Sequence, residues 1–214
     1  MTDPWDAEAD VVVVGFGAAG ACAAIEAAES GASVLVLDRF AGGGASAVSG
    51  GVVYAGGGTA QQRTAGVLDT PEAMFDYLSQ EVGDAVSPAT LRRFCAGSAD
   101  MITWLEERGV PFEGTLCPYK TSYPTNRHYL YYSGSELSYR HLATPAPRGH
   151  RARAPGTAGK LLHARLAGTA RARGVRVSVQ TSASRLLTDA TGRVVGVAGA
   201  TLRTAPAWAR TAHR

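Results

Sequence analysis

The chain has 214 residues and a mass of 22.2 kDa, enough to bury roughly 70% of the surface its unfolded form exposes. With 45% hydrophobic residues and 26 glycines against a 7% aromatic share, it reads as a globular chain packed through small residues, which excludes a disordered tail. The net charge of +3 conceals a division: residues 1–139 hold 7 Lys and Arg against 17 Asp and Glu, and residues 140–214 hold 14 against 1. No aromatic-interleaved basic motif accompanies the arginines, so they are expected to face acidic surface and not nucleic acid.

Cys22, Cys95 and Cys117 are widely spaced, which supports neither a disulfide framework nor a zinc site and points to a reducing compartment. Asp3, Asp6, Glu8 and Asp10 stand where a secretory leader carries positive charge, so the expected location is cytoplasmic. Phe40 to Gln62 is free of charge, but its Gly, Ala, Ser and Thr lack the large apolar side chains of a membrane span, and it is expected to be loop.

In chain order, Asp10 to Val14 is a β-branched run that reads as a strand of a parallel sheet. An Ala-rich helix follows over Ala18 to Ser30, then a strand over Ser33 to Leu37. Eight of the twenty residues from Ala41 to Ala60 are glycine, which requires close backbone approaches. Thr70-Pro71 opens a helix to about Val82, and Ser87-Pro88 opens a longer one before Gly109. Pro118 to Tyr139 holds six of the eight tyrosines and reads as short strands and ordered loop. A helix over Thr157 to Arg173, a strand over Val175 to Val179, and a hairpin pairing Ser182–Leu187 with Arg193–Val197 complete the series. Ala200 to Arg214 reads as a tail.

Gly15-Phe16-Gly17-Ala18-Ala19-Gly20 fits the dinucleotide fingerprint G-x-G-x-x-G. Gly15 serves the tight turn, Gly17 the close approach of a pyrophosphate, and Gly20 the contact of helix with strand. The pyrophosphate is expected on the helix N-terminus, where free amides and the helix dipole stabilise an anion. Asp38 closes the second strand eighteen residues past Gly20, where a carboxylate accepts hydrogen bonds from ribose hydroxyls and repels a 2′-phosphate. The glycine-rich stretch in place of a third βα unit favours FAD over NAD, with Ser46 and Ser49 as hydroxyl donors.

These residues resemble the FAD-dependent oxidoreductase 2 family, which includes fumarate reductase and succinate dehydrogenase flavoproteins and 3-ketosteroid Δ1-dehydrogenases. Three blocks carry the resemblance: Asp10 to Gly20, Gly42 to Gly51, and Gly156 to Val197. It implies an α/β fold, a Rossmann-like FAD-binding domain of the glutathione-reductase-like type, with helices on both faces of a parallel sheet and a small hairpin. By this resemblance residues 1–199 form the N-terminal part of that domain, with a helical and Tyr-rich insertion over 70–150. By the same resemblance a substrate-capping domain is expected to be missing, so the chain is expected to be a truncated member, or one whose C-terminal half is another polypeptide. Isolated, it is expected to aggregate.

The resemblance further implies cofactor contacts from Gly15, Gly17, Ala18, Ala19 and Gly20, from Asp38 and Arg39, from Gly44, Ala45 and Ser46, from Ser49, Gly50 and Gly51, and from Ala183 beside adenine. Gly44 stands where succinate dehydrogenases carry a flavin-bonded histidine, so the FAD is expected to be noncovalent. The implied activity is hydride exchange between flavin N5 and a substrate C–C bond next to a carbonyl, with 3-ketosteroid-like substrates and a separate electron acceptor. A fumarate-like dicarboxylate reductase and a catalytically silent FAD-binding fragment are the alternatives. Tyr119, Tyr123 and Tyr129 to Tyr132 are candidate proton-transfer groups, and His150 is a candidate anion clamp. His128, His141, His163 and His213 have no second ligand at metal spacing, and no metal is expected.

Overall fold

The computed structural model describes residues 5–202, 204 and 205; the remaining tail residues, His213 among them, lie outside the described residues. The first half of the chain comprises β1 (Val11–Val14), α1 (Ala18–Glu29), β2 (Val34–Leu37), α2 (Gly44–Val48), β3 (Val52–Tyr54), α3 (Ala60–Thr64), α4 (Pro71–Val82), α5 (Pro88–Ala96) and α6 (Ser98–Glu107). The second half comprises β4 (Leu130–Tyr131), β5 (Gly149–Arg151), α7 (Gly159–Ala172), β6 (Arg176–Ser178), β7 (Thr181–Thr188) and β8 (Val194–Thr201). Two compact units share them: Met1–Val48 with Leu162–Arg214, and Ser49–Leu161.

The first unit is a parallel sheet in the order β1-β2-β6, joined to the β7-β8 hairpin. Val11 pairs with Val34 and Val14 with Leu37, and Leu35 pairs in turn with Arg176. This parallel pairing needs a crossover, and α1 supplies it, burying Ala21, Ala24 and Ile25. Small residues on that helix allow close approach to the β-branched strands. The last turns of α7 bury Leu166, Ala167 and Ala170, which recur at helical spacing. The hairpin runs in register from Thr181↔Thr201 to Thr188↔Val194, with irregularities at Ala183/Arg185 and Leu187/Thr188. It is longer at both ends than the alternation of its residues indicates.

The second unit holds a short antiparallel sheet in the order β3-β5-β4 and the helices α3 to α6. Met74, Leu91 and Cys95 form its buried cluster, with Tyr54, Phe75 and Leu78 packed against them. Two readings change here. The stretch expected to be loop contains α2, β3 and the start of α3, because Val52–Tyr54 finds a partner in Gly149–Arg151 far along the chain. The single helix expected from Ser87 is two, divided at Gly97, which adopts φ −86° and ψ 3° and caps both pieces. Ser98, at the break, accepts a hydrogen bond from the Gly56 amide at 3.0 Å. No helix among the described residues is long and apolar enough to cross a membrane.

Arginines of the basic segment find carboxylates within their own units. Arg173 meets Glu29 at 3.1 Å, Arg153 meets Glu113 at 3.1 Å, and Arg148 meets Asp69 at 2.7 Å.

Candidate functional site

The turn after β1 is built so that its amides face outward at a helix end. Gly15 adopts φ +96°, a left-handed conformation that a side chain disfavours, and its N–H donates to the Leu37 carbonyl at 2.7 Å. The Phe16 N–H donates to Asp38 Oδ2 at 2.7 Å, and the Phe16 side chain is buried. The first amide of α1, from Ala18, donates to Ser46 Oγ at 3.0 Å. Among the described residues the N–H groups of Gly17, Ala19 and Gly20 have no acceptor. The first turn of α1 carries no acidic residue. Several N–H donors thus converge at the positive end of a helix dipole, which is the donor set that a pyrophosphate requires.

The two later glycines of the fingerprint differ in what they spare. A β-carbon on Gly20 would lie 1.9 Å from the Gly15 carbonyl oxygen and 3.3 Å from Val13 Cγ1, so helix and strand leave no room for it. A β-carbon on Gly17 would meet only Ser46 Oγ at 3.4 Å and the Gly43 carbonyl oxygen at 3.7 Å, which is ordinary contact. The protein itself therefore tolerates a methyl group at Gly17.

Asp38 is buried, and its carboxylate is already engaged with the backbone. Besides Phe16, it accepts from the Phe40 amide at 2.7 Å and the Gly42 amide at 3.3 Å through Oδ1. A carboxylate has about four acceptor positions, so one remains for a ribose hydroxyl. Sequence spacing showed the carboxylate but not that it ties the two loops flanking β1 and β2 together. Arg39 lies against the Phe40 ring at 5.0 Å. Gly44, Ala45 and Ser46 open α2, and Ala183 lies on β7 opposite Gly199.

Ser49, Gly50 and Gly51 belong to the second unit. There the Gly51 amide donates to Ser49 Oγ at 3.2 Å, and a β-carbon on Gly51 would sit 2.5 Å from the Ala158 backbone. Gly50 leaves space for Tyr123, whose hydroxyl lies 3.0 Å from both the Gly50 and Gly156 carbonyls and accepts from Arg151 Nε at 2.8 Å. That hydroxyl is a structural bridge. Tyr129 donates to the Asn126 carbonyl at 2.8 Å and lies against the Arg151 guanidinium. Burial pushes Tyr131 up to about 12 and raises Tyr132 as well, so neither forms a phenolate near neutrality. Tyr119 is exposed and meets the His128 ring edge-on at 6.3 Å.

His150 lies on β5 and is buried. Its Nδ1–H donates to the Arg148 carbonyl at 3.1 Å, which leaves Nε2 to accept from the Thr59 hydroxyl at 2.8 Å. Burial pushes its pKa down to about 4. The ring is therefore neutral at physiological pH and cannot serve as a cationic anion clamp; burial, invisible in the local sequence, is the reason. Because the unfolded imidazole titrates near 6.5, the unfolded chain binds the proton first as pH falls. The stabilisation is complete above pH 6.5 and is lost towards pH 4, to an extent of roughly 3 kcal/mol. Urea midpoints of wild type are expected to fall across that window more than those of His150→Gln; parallel profiles would disprove the assignment.

Sequence reading missed the polar framework around this histidine. Thr59 and Gln62 form a capping box on α3, a spacing that the residues T-x-x-Q do announce. Asp69, Arg148 and Arg151 carry no local signal, since their partners are distant in sequence. Arg151 is fully buried yet faces neutral acceptors, among them Asn126 Oδ1 at 2.6 Å and the Gly156 carbonyl at 2.6 Å.

Comparison with known proteins agrees with the geometry of the first turn. A family described as FAD binding domain matches residues 10–212. The 3-oxo-5-alpha-steroid 4-dehydrogenase of Comamonas testosteroni is 49% identical over 199 residues, covering 90% of this chain and 37% of that protein. The digoxin reductase of Eggerthella lenta is 31% identical over 198 residues, or 90% of this chain and 33% of that protein. The crystal structure of 3-ketosteroid-delta4-(5alpha)-dehydrogenase from Rhodococcus jostii, in complex with 4-androstene-3,17-dione, superposes with a TM-score of 0.89 at 39% identity, over 94% of this chain and 43% of that one. The chain thus spans well under half the length of these relatives. Its α/β architecture is the Rossmann-like FAD-binding fold, and its cofactor is FAD. The chain belongs to the FAD binding domain family.

Proposed function

We propose that this chain supplies the ADP-binding part of an FAD-dependent oxidoreductase that adds or removes hydrogen across a C–C bond next to a carbonyl in a 3-ketosteroid-like substrate. The observation that carries the reading is the set of unengaged amides of Gly17, Ala19 and Gly20 at the start of α1. The substrate class rests on the 49% identity to the steroid dehydrogenase. When bound, FAD supplies the hydride-exchanging centre at its N5.

The chain's own residues bind and orient. The α1 amides hold the diphosphate, the remaining acceptor position of Asp38 takes a ribose hydroxyl, and the backbone at Ala183 lies beside adenine. Gly44 offers no side chain for a covalent link, which supports noncovalent FAD. Tyr123, Tyr129 and His150 are committed to hydrogen bonds within the second unit, so none of these three is assigned proton transfer. Three thiols without disulfide partners support a cytoplasmic location.

The test is a flavin titration followed by fluorescence quenching. Saturable binding that ADP competes away is expected for the folded chain. Gly17→Ala, which the protein accommodates, is expected to raise the dissociation constant at least about tenfold, or 1.4 kcal/mol, with an unchanged melting temperature. A folded chain that binds no FAD defeats the proposal. Turnover of a 3-ketosteroid with an artificial acceptor that Tyr123→Phe, Tyr129→Phe or His150→Gln abolishes without loss of folding would overturn that exclusion.

A further inference from the structure

The half-buried His163 lies on α7, remote in sequence from the phosphate turn, yet its Nε2 is 2.8 Å from the Phe16 carbonyl oxygen. A carbonyl only accepts, so Nε2 carries the proton and donates. The same oxygen accepts the Gly43 amide at 2.8 Å, and the ring meets Phe16 edge-on at 5.5 Å. Gly43 lacks the side chain that would otherwise intrude: a β-carbon there would stand 3.3 Å from His163 Nδ1. Two donors from separate elements thus fix one carbonyl.

That carbonyl belongs to the Phe16–Gly17 peptide, which is trans like every peptide in the described structure. In a planar trans peptide the C=O and N–H point in opposite directions. Holding the Phe16 oxygen towards Gly43 and His163 therefore turns the Gly17 N–H the other way and fixes its direction. Gly17 N–H is one of the amides without an acceptor among the described residues. Without the imidazole the Phe16 carbonyl keeps only the Gly43 donor, and although the neighbouring peptides stay tied through Asp38 and Ser46, the plane between them is freer to rotate in a turn whose flanking glycines resist rotation little.

We propose that His163 is a positioning residue for the diphosphate: it orients the Gly17 amide through the Phe16 carbonyl, without touching the ligand. The proposal rests on the FAD reading above and deepens it. It also gives a task to a histidine for which sequence spacing offered none.

The experiment compares FAD, ADP and adenosine dissociation constants of the full chain and three variants, with a thermal melt of each apoprotein. His163→Phe keeps a ring against Phe16 but has no donor. His163→Gln places an amide nitrogen near the position of Nε2. His163→Leu is a second replacement without a donor, should the phenyl variant not melt cooperatively. Non-donor variants are expected to weaken FAD and ADP by the same factor, about tenfold, and to leave adenosine, which lacks the diphosphate, unchanged, while His163→Gln recovers binding to within threefold or so of wild type. A folded non-donor variant that binds ADP like wild type overturns the proposal, as does a glutamine variant as weak as the phenylalanine one. A folded wild type that binds neither FAD nor ADP overturns the flavin reading itself, a different result.

Discussion

Replacing Gly20 by alanine is expected to unfold the first unit and abolish flavin binding together. The added methyl group would lie 1.9 Å from the Gly15 carbonyl oxygen and 3.0 Å from its carbon, and these are backbone atoms that no rotamer change can move. Relief requires α1 to lift from β1, which exposes Ala21, Ala24 and Ile25 and breaks the register on which the amide cradle stands. Overpacking of this kind destabilises by about 1–3 kcal/mol where side chains can adjust, and by more where they cannot. Gly168, exposed on α7 with nothing within 4 Å of its would-be β-carbon, is the control. Gly168→Ala is expected to stabilise by up to ~1 kcal/mol through helix propensity. Equal melting temperatures for the two variants would refute the steric account.

Asp69→Ala is expected to destabilise the second unit by roughly 3–5 kcal/mol, because it leaves a buried guanidinium without its counter-charge. Arg148 and Asp69 are both fully buried, and the carboxylate also accepts from the Gly57 amide and Gln62 Nε2, each at 2.9 Å. Arg148 Nη1 lacks a partner among the described residues, and beside Asp69 the guanidinium meets the Tyr77 ring at 5.5 Å and the Tyr54 hydroxyl, neither of which carries a counter-charge. The double replacement Asp69→Leu with Arg148→Met removes the charge as well, and is expected to recover most of the loss. Denaturant midpoints read both effects. A single variant within 1 kcal/mol or so of wild type, or a double variant no better than the single, would show that the pair carries no such role.

The two replacements probe parts of the fold that differ in legibility. The opening β1–α1–β2 crossover is written locally: a β-branched run, glycines at fixed offsets, an Ala-rich helix and a terminal Asp38 each name their own place. Its steric logic at Gly20 follows from that spacing alone. The second unit is written at long range. Val52–Tyr54 looks like part of a glycine-rich loop until Gly149–Arg151 pairs with it, and Arg148-Gly149-His150-Arg151 looks like a solvated basic loop until Asp69, Thr59 and Tyr123 supply partners. No local pattern announces such pairings. The division at Gly97 lies between these cases: glycine lowers helix propensity by about 1 kcal/mol, but the hydrogen bond from the Gly56 amide to Ser98 is what the fold adds.

At the site the same contrast holds. Spacing located the carboxylate of Asp38 but not its hold on the Phe16, Phe40 and Gly42 amides. It located His163 as a lone histidine but not its distance from the Phe16 carbonyl. Residue types in a motif state what a ligand needs; what holds the motif in shape comes from elsewhere in the chain.

The serine hydroxyl that meets the leading amide of α1 narrows what that helix end can offer. Ser46 occupies that donor from twenty-eight positions away, so an anion settling there would have to compete with a hydroxyl for it or make do with the amides beside it. A residue outside the fingerprint thereby tunes the grip of the turn.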